Sequence, residues 1–359
     1  MRFLARAVFP CVLVLVACTV EPSSGPSTTT VMSTTITTAP ATDDSGPATD
    51  DTTATSSGSA GTTIGSADGT TGEKLDAGVI GATGCDAIDI LFVIDNSASM
   101  NTYQMALSEA FPSFIDALWD ALPRDTNVHV GITTTDFGSP GCANASESTS
   151  NCQSTASASD ITMHYDTPLN APTEVNGSQG RLFRWNDQYY FEASTTDDNA
   201  GLKTWFAGAA TAAGENGCTY EMPVAAAGWA FTPPNVGEVL STNDDFLRNE
   251  GTVLILFFLT DEPDKSPESV AIHRDRVLAA KAGCGGEEAD DICVVTAGFI
   301  PTCTIDVNQK LWQFMTAFGE AADDVKWGDI TDIPGYDELV GTVLAGTIAD
   351  ACADVPPVG

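Results

Sequence analysis

The sequence predicts an α/β fold: a doubly wound, mostly parallel sheet flanked by helices and preceded by a disordered stalk. Three observations carry this. Two runs, Ile88–Ile94 and Thr252–Leu259, are apolar at almost every position, as in strands buried on both faces of a parallel sheet. From about residue 84 onward, strand-like and helix-like patterns alternate. Before that, from Thr19 to about Asp76, the chain is Thr, Ser, Pro, Gly, Ala and Asp with almost no large apolar residue. Such a segment cannot bury enough surface to offset the entropy of ordering it.

The first residues read as an export signal. Arg2 and Arg6 precede an apolar run through Val16 that is too short to span a membrane. Its end, Leu15-Val16-Ala17-Cys18, resembles the lipobox of bacterial lipoproteins. The resemblance implies a signal peptide over 1–17 and a lipidated Cys18; an ordinary secretory signal with an incidental Cys is the other reading. Thr19 in place of Asp after the Cys points, by the same resemblance, to the outer membrane. The expected location is therefore the cell envelope, with membrane contact only through the lipid anchor. Residues 18–76 form a linker whose random-coil reach is on the order of 40 Å.

Residues 77–359 suit one large domain. The chain has 49 Asp plus Glu against 14 Lys plus Arg, a net charge of −35, and few of the acids lie in the linker. A domain this acidic lacks the basic footprint that phosphate contacts require, which excludes nucleic acid as a partner and disfavours anionic lipid. Divalent cations are attracted instead.

Within the domain, a strand at Ile88–Ile94 leads to a helix from Met100 to Leu122 with Pro112 inside it, then to a strand from Val128 to Phe137 whose His129 is expected to face solvent. A long polar insertion follows at about 138–198, with Arg181–Trp185 as a short edge strand. Its aromatic cluster, Trp185, Tyr189, Tyr190 and Phe191, reads as a local core or a binding surface. Helices are expected at 201–214, 221–231, 267–282, 307–322 and 336–352, and further strands at 252–260, 291–300 and 325–330.

The chemistry sits where apolar strands stop. After Ile94, oxygen-bearing side chains fall at alternate positions: Asp95, Ser97 and Ser99. Three hard oxygen ligands without His or Cys suit Mg²⁺, or Mn²⁺ or Ca²⁺, rather than zinc. Read locally, Asp95 or Ser97 could simply cap the next helix. The pattern resembles the metal-ion-dependent adhesion site of von Willebrand factor type A domains, a Rossmann-like fold, over about residues 84 to 353. The resemblance implies two further ligands. Asp261 matches the Asp ending the family's fourth strand. Thr219 matches a Thr on a loop before a small-residue helix, although Pro223 stands where the family has Gly and Thr211 is a rival.

The implied site is thus Asp95, Ser97, Ser99, Thr219 and Asp261. The implied function is a binding or adhesion module whose metal bridges to an Asp or Glu of a protein partner. A surface scaffold with a vestigial or structural metal site is the alternative, with a metal-dependent hydrolase behind it. Enzyme motifs are lacking: there is no H-E-x-x-H, no G-x-S-x-G and no glycine-rich phosphate loop, and none of the three His lies near a candidate nucleophile. Glu262 and Asp264 are read as helix-capping groups, with Asp264 or Ser266 serving a helix that starts at Pro267.

Setting aside Cys11 and Cys18, eight cysteines remain in an exported chain, which argues for disulfides. The expected strand directions place Cys85, Cys284, Cys293 and Cys352 at the edge away from the metal, and Cys142, Cys152, Cys218 and Cys303 at the metal edge. Bridges should form only within each set, because Cα atoms must lie within about 7 Å. The expected pairs are Cys142–Cys152, Cys218–Cys303, Cys284–Cys293 and Cys85–Cys352.

Overall fold

Ile88, Ile90, Phe92 and Ile94 point to one apolar core, and Leu91 and Val93 to another on the opposite face of the same strand. The strand Thr252–Leu259 divides the same way, with Val253, Ile255, Phe257 and Leu259 on one side and Leu254, Leu256 and Phe258 on the other. This period-two split is why both strands read as unbroken apolar runs. The computed structural model describes residues 85–138, 142, 149–150, 152–238, 241–285, 293–318 and 325–355. The signal sequence, Cys18 and the 18–76 linker lie outside them.

In chain order the elements are β1 (Ala87–Ile94), α1 (Asn101–Ala121), β2 (Asn127–Thr134), a small hairpin of β3 (Thr149–Ser150) and β4 (Gln153–Ser154), α2 (Ala158–Met163), β5 (Tyr190–Ser194) and α3 (Ala200–Ala212). Then come α4 (Pro223–Trp229), β6 (Thr252–Leu259), α5 (Val270–Ala280), α6 (Ala282–Gly285), β7 (Val294–Ile300), α7 (Lys310–Met315) and β8 (Lys326–Asp329). The last helical stretch opens as α8 (Tyr336–Glu338), passes through a π-helical segment (Leu339–Leu344) and ends as α9 (Ala345–Asp354). The main sheet runs β5-β2-β1-β6-β7-β8, parallel except where β5 pairs with β2. Residues of α1, α3 and α9 fill one core, and residues of α4, α5 and α7 the other. This is the doubly wound α/β sheet expected. Among the described residues no helix is long and apolar enough to cross a membrane.

Several local expectations are corrected. The antiparallel edge strand is Tyr190–Ser194, not Arg181–Trp185. Positive φ angles at Gln179, Gly180, Asn186 and Asp187 break the extended run around Arg181–Trp185, leaving one isolated bridge, Trp185 to Gln188. The aromatics of this region are mainly core: Trp185 and Phe191 pack on one cluster, Tyr189 and Tyr190 on the other. His129 is buried rather than facing solvent, its Nδ1 donating to the Phe246 carbonyl at 2.8 Å. Burial lowers its pKa. The helix expected from Pro267 begins at Val270, and the one expected over 307–322 is Lys310–Met315, with residues 319–324 outside the described set.

The cysteines divide by edge as expected, and Cys85–Cys352 and Cys284–Cys293 are bridged. At the other edge the partners are exchanged: the bridges are Cys142–Cys218 and Cys152–Cys303, with Cα separations of 4.8 and 5.6 Å. The cause is the chain's path. Cys142 folds back over Gly138, where a Cβ would lie 2.6 Å from Cys142 Cβ and 2.9 Å from Cys218 Cβ. Cys152, in the turn of the β3–β4 hairpin, instead meets Cys303 in a 3₁₀ turn after β7.

Candidate metal centre at the carboxyl edge of the sheet

β1 lies between β2 and β6, in register with both: Ile94 is opposite Thr134 on one side and Leu259 on the other. The residue after each strand end therefore lines up, and Asp95 comes to lie between Thr135 and Thr260. The chain winds from β1 to β2 in one direction and later places β6 on the far side of β1. This makes the crevice beyond β1 and β6 the topological switch point, where open α/β sheets bind ligands.

Asp95 is fully buried. Its amide donates to the Leu259 carbonyl at 2.8 Å. Its Oδ1 accepts from the Ser97 amide at 2.8 Å, and its Oδ2 accepts from Thr260 Oγ1 at 2.7 Å. From α1, Gln104 Nε2 donates to the carbonyls of Asp95 and Gly214, both at 2.9 Å, holding the loop. Ser97 Oγ and Ser99 Oγ are 3.4 Å apart, and Ser99 lies close enough to the Asp261 carboxyl to pull its pKa down. Asp95, Ser97, Ser99 and Asp261 thus come together at one place. Burial, then the charge of Asp261, pushes the Asp95 carboxyl up to about 6. Burial also raises Asp261, against the opposing pull of the Ser99 hydroxyl and the Lys265 charge.

Thr219 is placed differently. Its hydroxyl donates to the Cys142 carbonyl at 3.3 Å, and its own carbonyl accepts from Lys265 Nζ at 3.4 Å. The rival Thr211 is an exposed residue of α3 bonded back to Ala207 O. Glu262 pairs with Lys265. Asp264 and Ser266 do cap a helix, but not the one after them. Asp264 Oδ1 accepts from Val224 N and Ser266 Oγ from Ala225 N, each at 3.0 Å, in the first turn of α4. Desolvation raises Asp264 as well.

Sequence reasoning missed Glu221. It is fully buried, with Oε2 accepting the Thr135 hydroxyl and Oε1 without a donor. Burial, then the Asp95 charge, holds its carboxyl well above the usual range. The only local hint was its place two residues after Thr219, just before Pro223 opens α4. Among the described residues five buried side-chain polar atoms lack a partner, and four are oxygens around this loop: Asn96 Oδ1, Gln104 Oε1, Glu221 Oε1 and Asp261 Oδ1. A Cβ at Gly217 would lie 2.2 Å from Asn96 Oδ1, so any side chain there would have to displace the Asn96 amide.

Orphaned acceptors beside two buried carboxylates leave this edge short of positive charge. The nearby ammonium of Lys265 is engaged by Glu262 and the Thr219 carbonyl. Among the described residues no three His, Cys, Asp or Glu form a metal cluster, so the donor set is a mixture of carboxylates, hydroxyls and amide oxygens. Such a set fits a hard divalent cation and not a thiolate–imidazole zinc site.

No protein-family model matches the sequence, and no curated protein matches it. Solved structures similar to it include a von Willebrand factor type A protein from Catenulispora acidiphila (14% identity, TM-score 0.33, covering 73% of this chain and 42% of that one). Another is the pilus adhesin SpaC from Lactobacillus rhamnosus GG in an open conformation (12%, 0.37, 74% and 30%). A third is proximal thread matrix protein 1 from the mussel byssus with a zinc-occupied MIDAS motif (12%, 0.33, 74% and 50%). The chain spans half or less of each of these proteins. At these identities and scores they carry no argument about the site, which rests on its own residues.

Proposed function

We propose that this chain is a divalent-cation-dependent binding module of the von Willebrand factor type A kind, held on the cell envelope by a lipidated Cys18 and the 18–76 linker. In this reading Asp95, Ser97, Ser99 and Asp261, with Thr219, hold Mg²⁺, or Mn²⁺ or Ca²⁺. The cation bridges to an Asp or Glu of a protein partner. The observation that carries the reading is the gathering of Asp95, Ser97, Ser99 and Asp261 at the switch point, with Asp261 Oδ1 buried and unpartnered. Mg²⁺ keeps several waters, so one position can be ceded to an incoming carboxylate. The net charge of −35 repels an acidic partner only weakly beyond about 8 Å at physiological salt, so the cation decides the contact. The module acts by binding and not by catalysis.

The test is capture of envelope proteins by the full chain in Mg²⁺ and in chelator, with Asp95→Ala alongside. Partner lost in chelator and in Asp95→Ala, with the fold intact by circular dichroism, supports the reading. One observation favours the scaffold alternative: two disulfides tie the loop after β2 to this edge, and Thr219 is turned towards that loop. Partner retained by Asp95→Ala would select the scaffold.

A further inference from the structure

We infer that the cavity beside Arg181 is a second binding site, and that it takes an acidic sugar: a ring bearing one carboxylate among several hydroxyls. The inference is independent of the cation reading, because the cavity shares no residue with the Asp95 edge. It holds about 480 Å³, within the roughly 300–1,000 Å³ of small-molecule sites. Arg181, Arg184, Glu174 and Tyr189 supply its polar lining, and Val175 and Leu182 an apolar one.

The walls are fastened by the protein itself. Gly177 O accepts from the Thr134 amide at 2.8 Å and from the Thr133 and Thr134 hydroxyls, each at 3.0 Å, tying the rim to the end of β2. Asn176 clasps Arg184 twice: Nδ2 donates to Arg184 O at 3.0 Å, and Oδ1 accepts from the Arg184 amide at 2.6 Å. The Leu182 amide donates to Oδ1 of buried Asn243 at 2.8 Å. Between these ties the chain turns through left-handed residues at Gly177, Gln179 and Gly180, a conformation that is costly at Gln179. A preformed wall spares a ligand the cost of ordering it.

The charge pattern selects the ligand. The chain has only 14 Lys plus Arg, and Lys203, Arg248, Lys265 and Arg276 are each paired with a carboxylate, yet two arginines line this one cavity. Arg181 is half-buried, and among the described residues nothing pairs with its guanidinium. Arg184 meets the exposed carboxylate of Asp187 at 2.9 Å and lies over the Tyr189 ring at 5.9 Å. An exposed pair of that kind contributes little, so a ligand can displace it. Guanidinium forks match a carboxylate with two parallel hydrogen bonds. Glu174 opposes a phosphate or a polyanion at the same cavity and suits hydroxyl donors. Val175 and Leu182 suit the C–H face of a ring. A carboxylate beside hydroxyls on an apolar ring is the combination that uses all of these groups.

The experiment is calorimetric titration of galacturonate and glucuronate disaccharides into the full chain. Their methyl esters and acetate are the controls, with circular dichroism on each variant. At least one uronate disaccharide is expected to bind saturably, and its ester and acetate about tenfold more weakly or worse. Arg181→Met, which removes the fork and keeps an unbranched apolar stem, is expected to weaken binding by about tenfold or more. Arg184→Met, at an exposed position, is the second variant should Arg181→Met lose its fold, and binding is expected to weaken there too. Affinity should be the same in Mg²⁺ and in chelator. No saturable binding by the wild type, wild-type affinity in both arginine variants, or an ester binding as tightly as its acid overturns the inference. Acetate binding as tightly as the disaccharides overturns the sugar assignment, and binding lost in chelator overturns the independence of this site from the cation edge.

Discussion

Thr260 Oγ1 donates to Asp95 Oδ2 at 2.7 Å, so the hydroxyl that follows β6 holds the carboxylate that follows β1. The contact depends on the exact alignment of Ile94 with Leu259 one residue earlier. It fixes half of the Asp95 carboxylate, while the Ser97 amide fixes the other half. Thr260→Val removes the donor and keeps the shape. Hydrogen bonds to charged groups contribute about 1.5–3 kcal/mol, so a loss of that order is expected in urea unfolding at neutral pH. An unchanged midpoint would mean that the bond does not anchor Asp95.

Asp95 also sets a pH dependence. Its carboxyl stands at about 6 in the fold against an ordinary value of 3.8. A carboxyl raised in this way holds its proton more tightly when folded. Its stabilisation is complete below about pH 4 and is lost as pH rises through about 6. In chelator, the stability of the wild type should therefore fall relative to Asp95→Asn between pH 4 and 7, by on the order of 3 kcal/mol. Added Mg²⁺ should close the gap by binding only the wild type. Parallel pH profiles for the two proteins in chelator would contradict this.

At the opposite end of β1, fully buried Asp89 is held by Arg248. The Arg248 amide donates to Oδ2 at 2.8 Å and Nε to Oδ1 at 2.9 Å. Removing one partner of a buried pair strands the other, so Arg248→Ala should cost about 3 kcal/mol or more. Pairing it with Asp89→Leu should recover most of the loss in urea unfolding. If the double variant is no better than the single, Arg248 contributes through packing alone.

The disulfides rank by the loops they close. Cys85–Cys352 spans 267 residues and Cys284–Cys293 spans 9. Chain entropy makes the first worth about 5 kcal/mol and the second about half of that. Paired Cys→Ser substitutions, compared by denaturant midpoint, should show that order. Non-reducing peptide mapping should find Cys142 with Cys218 and Cys152 with Cys303; a Cys142–Cys152 peptide would refute the chain path described for this edge.

The central strands were legible because burial on both faces leaves an apolar run, and Asp95 and Asp261 were legible because such runs end abruptly in acid. What the sequence hid depends on long-range contacts. Asp264 and Ser266 cap a helix some forty residues before them, which no local spacing reports. Glu221 looked like an ordinary first-turn residue, and its burial comes from distant segments: the Lys265 amide holds its carbonyl, Thr135 O takes the neighbouring Met222 amide, and the Thr135 hydroxyl takes its carboxylate. His129 was expected to face solvent from its strand, but Phe246 and Tyr190 cover it. The edge strand was misplaced because left-handed residues, not apolarity, decide where Arg181–Trp185 turns.

In the proposed function a divalent cation sits at the Asp95 edge. The most direct test is calorimetric titration of Mg²⁺ into the chelator-stripped full chain, wild type against Asp95→Ala. Saturable binding of one ion per chain is expected in the wild type, with no binding heat in Asp95→Ala and a native circular dichroism spectrum in both. No binding heat from Mg²⁺, Mn²⁺ or Ca²⁺ in the wild type, or equal binding by Asp95→Ala, would contradict it.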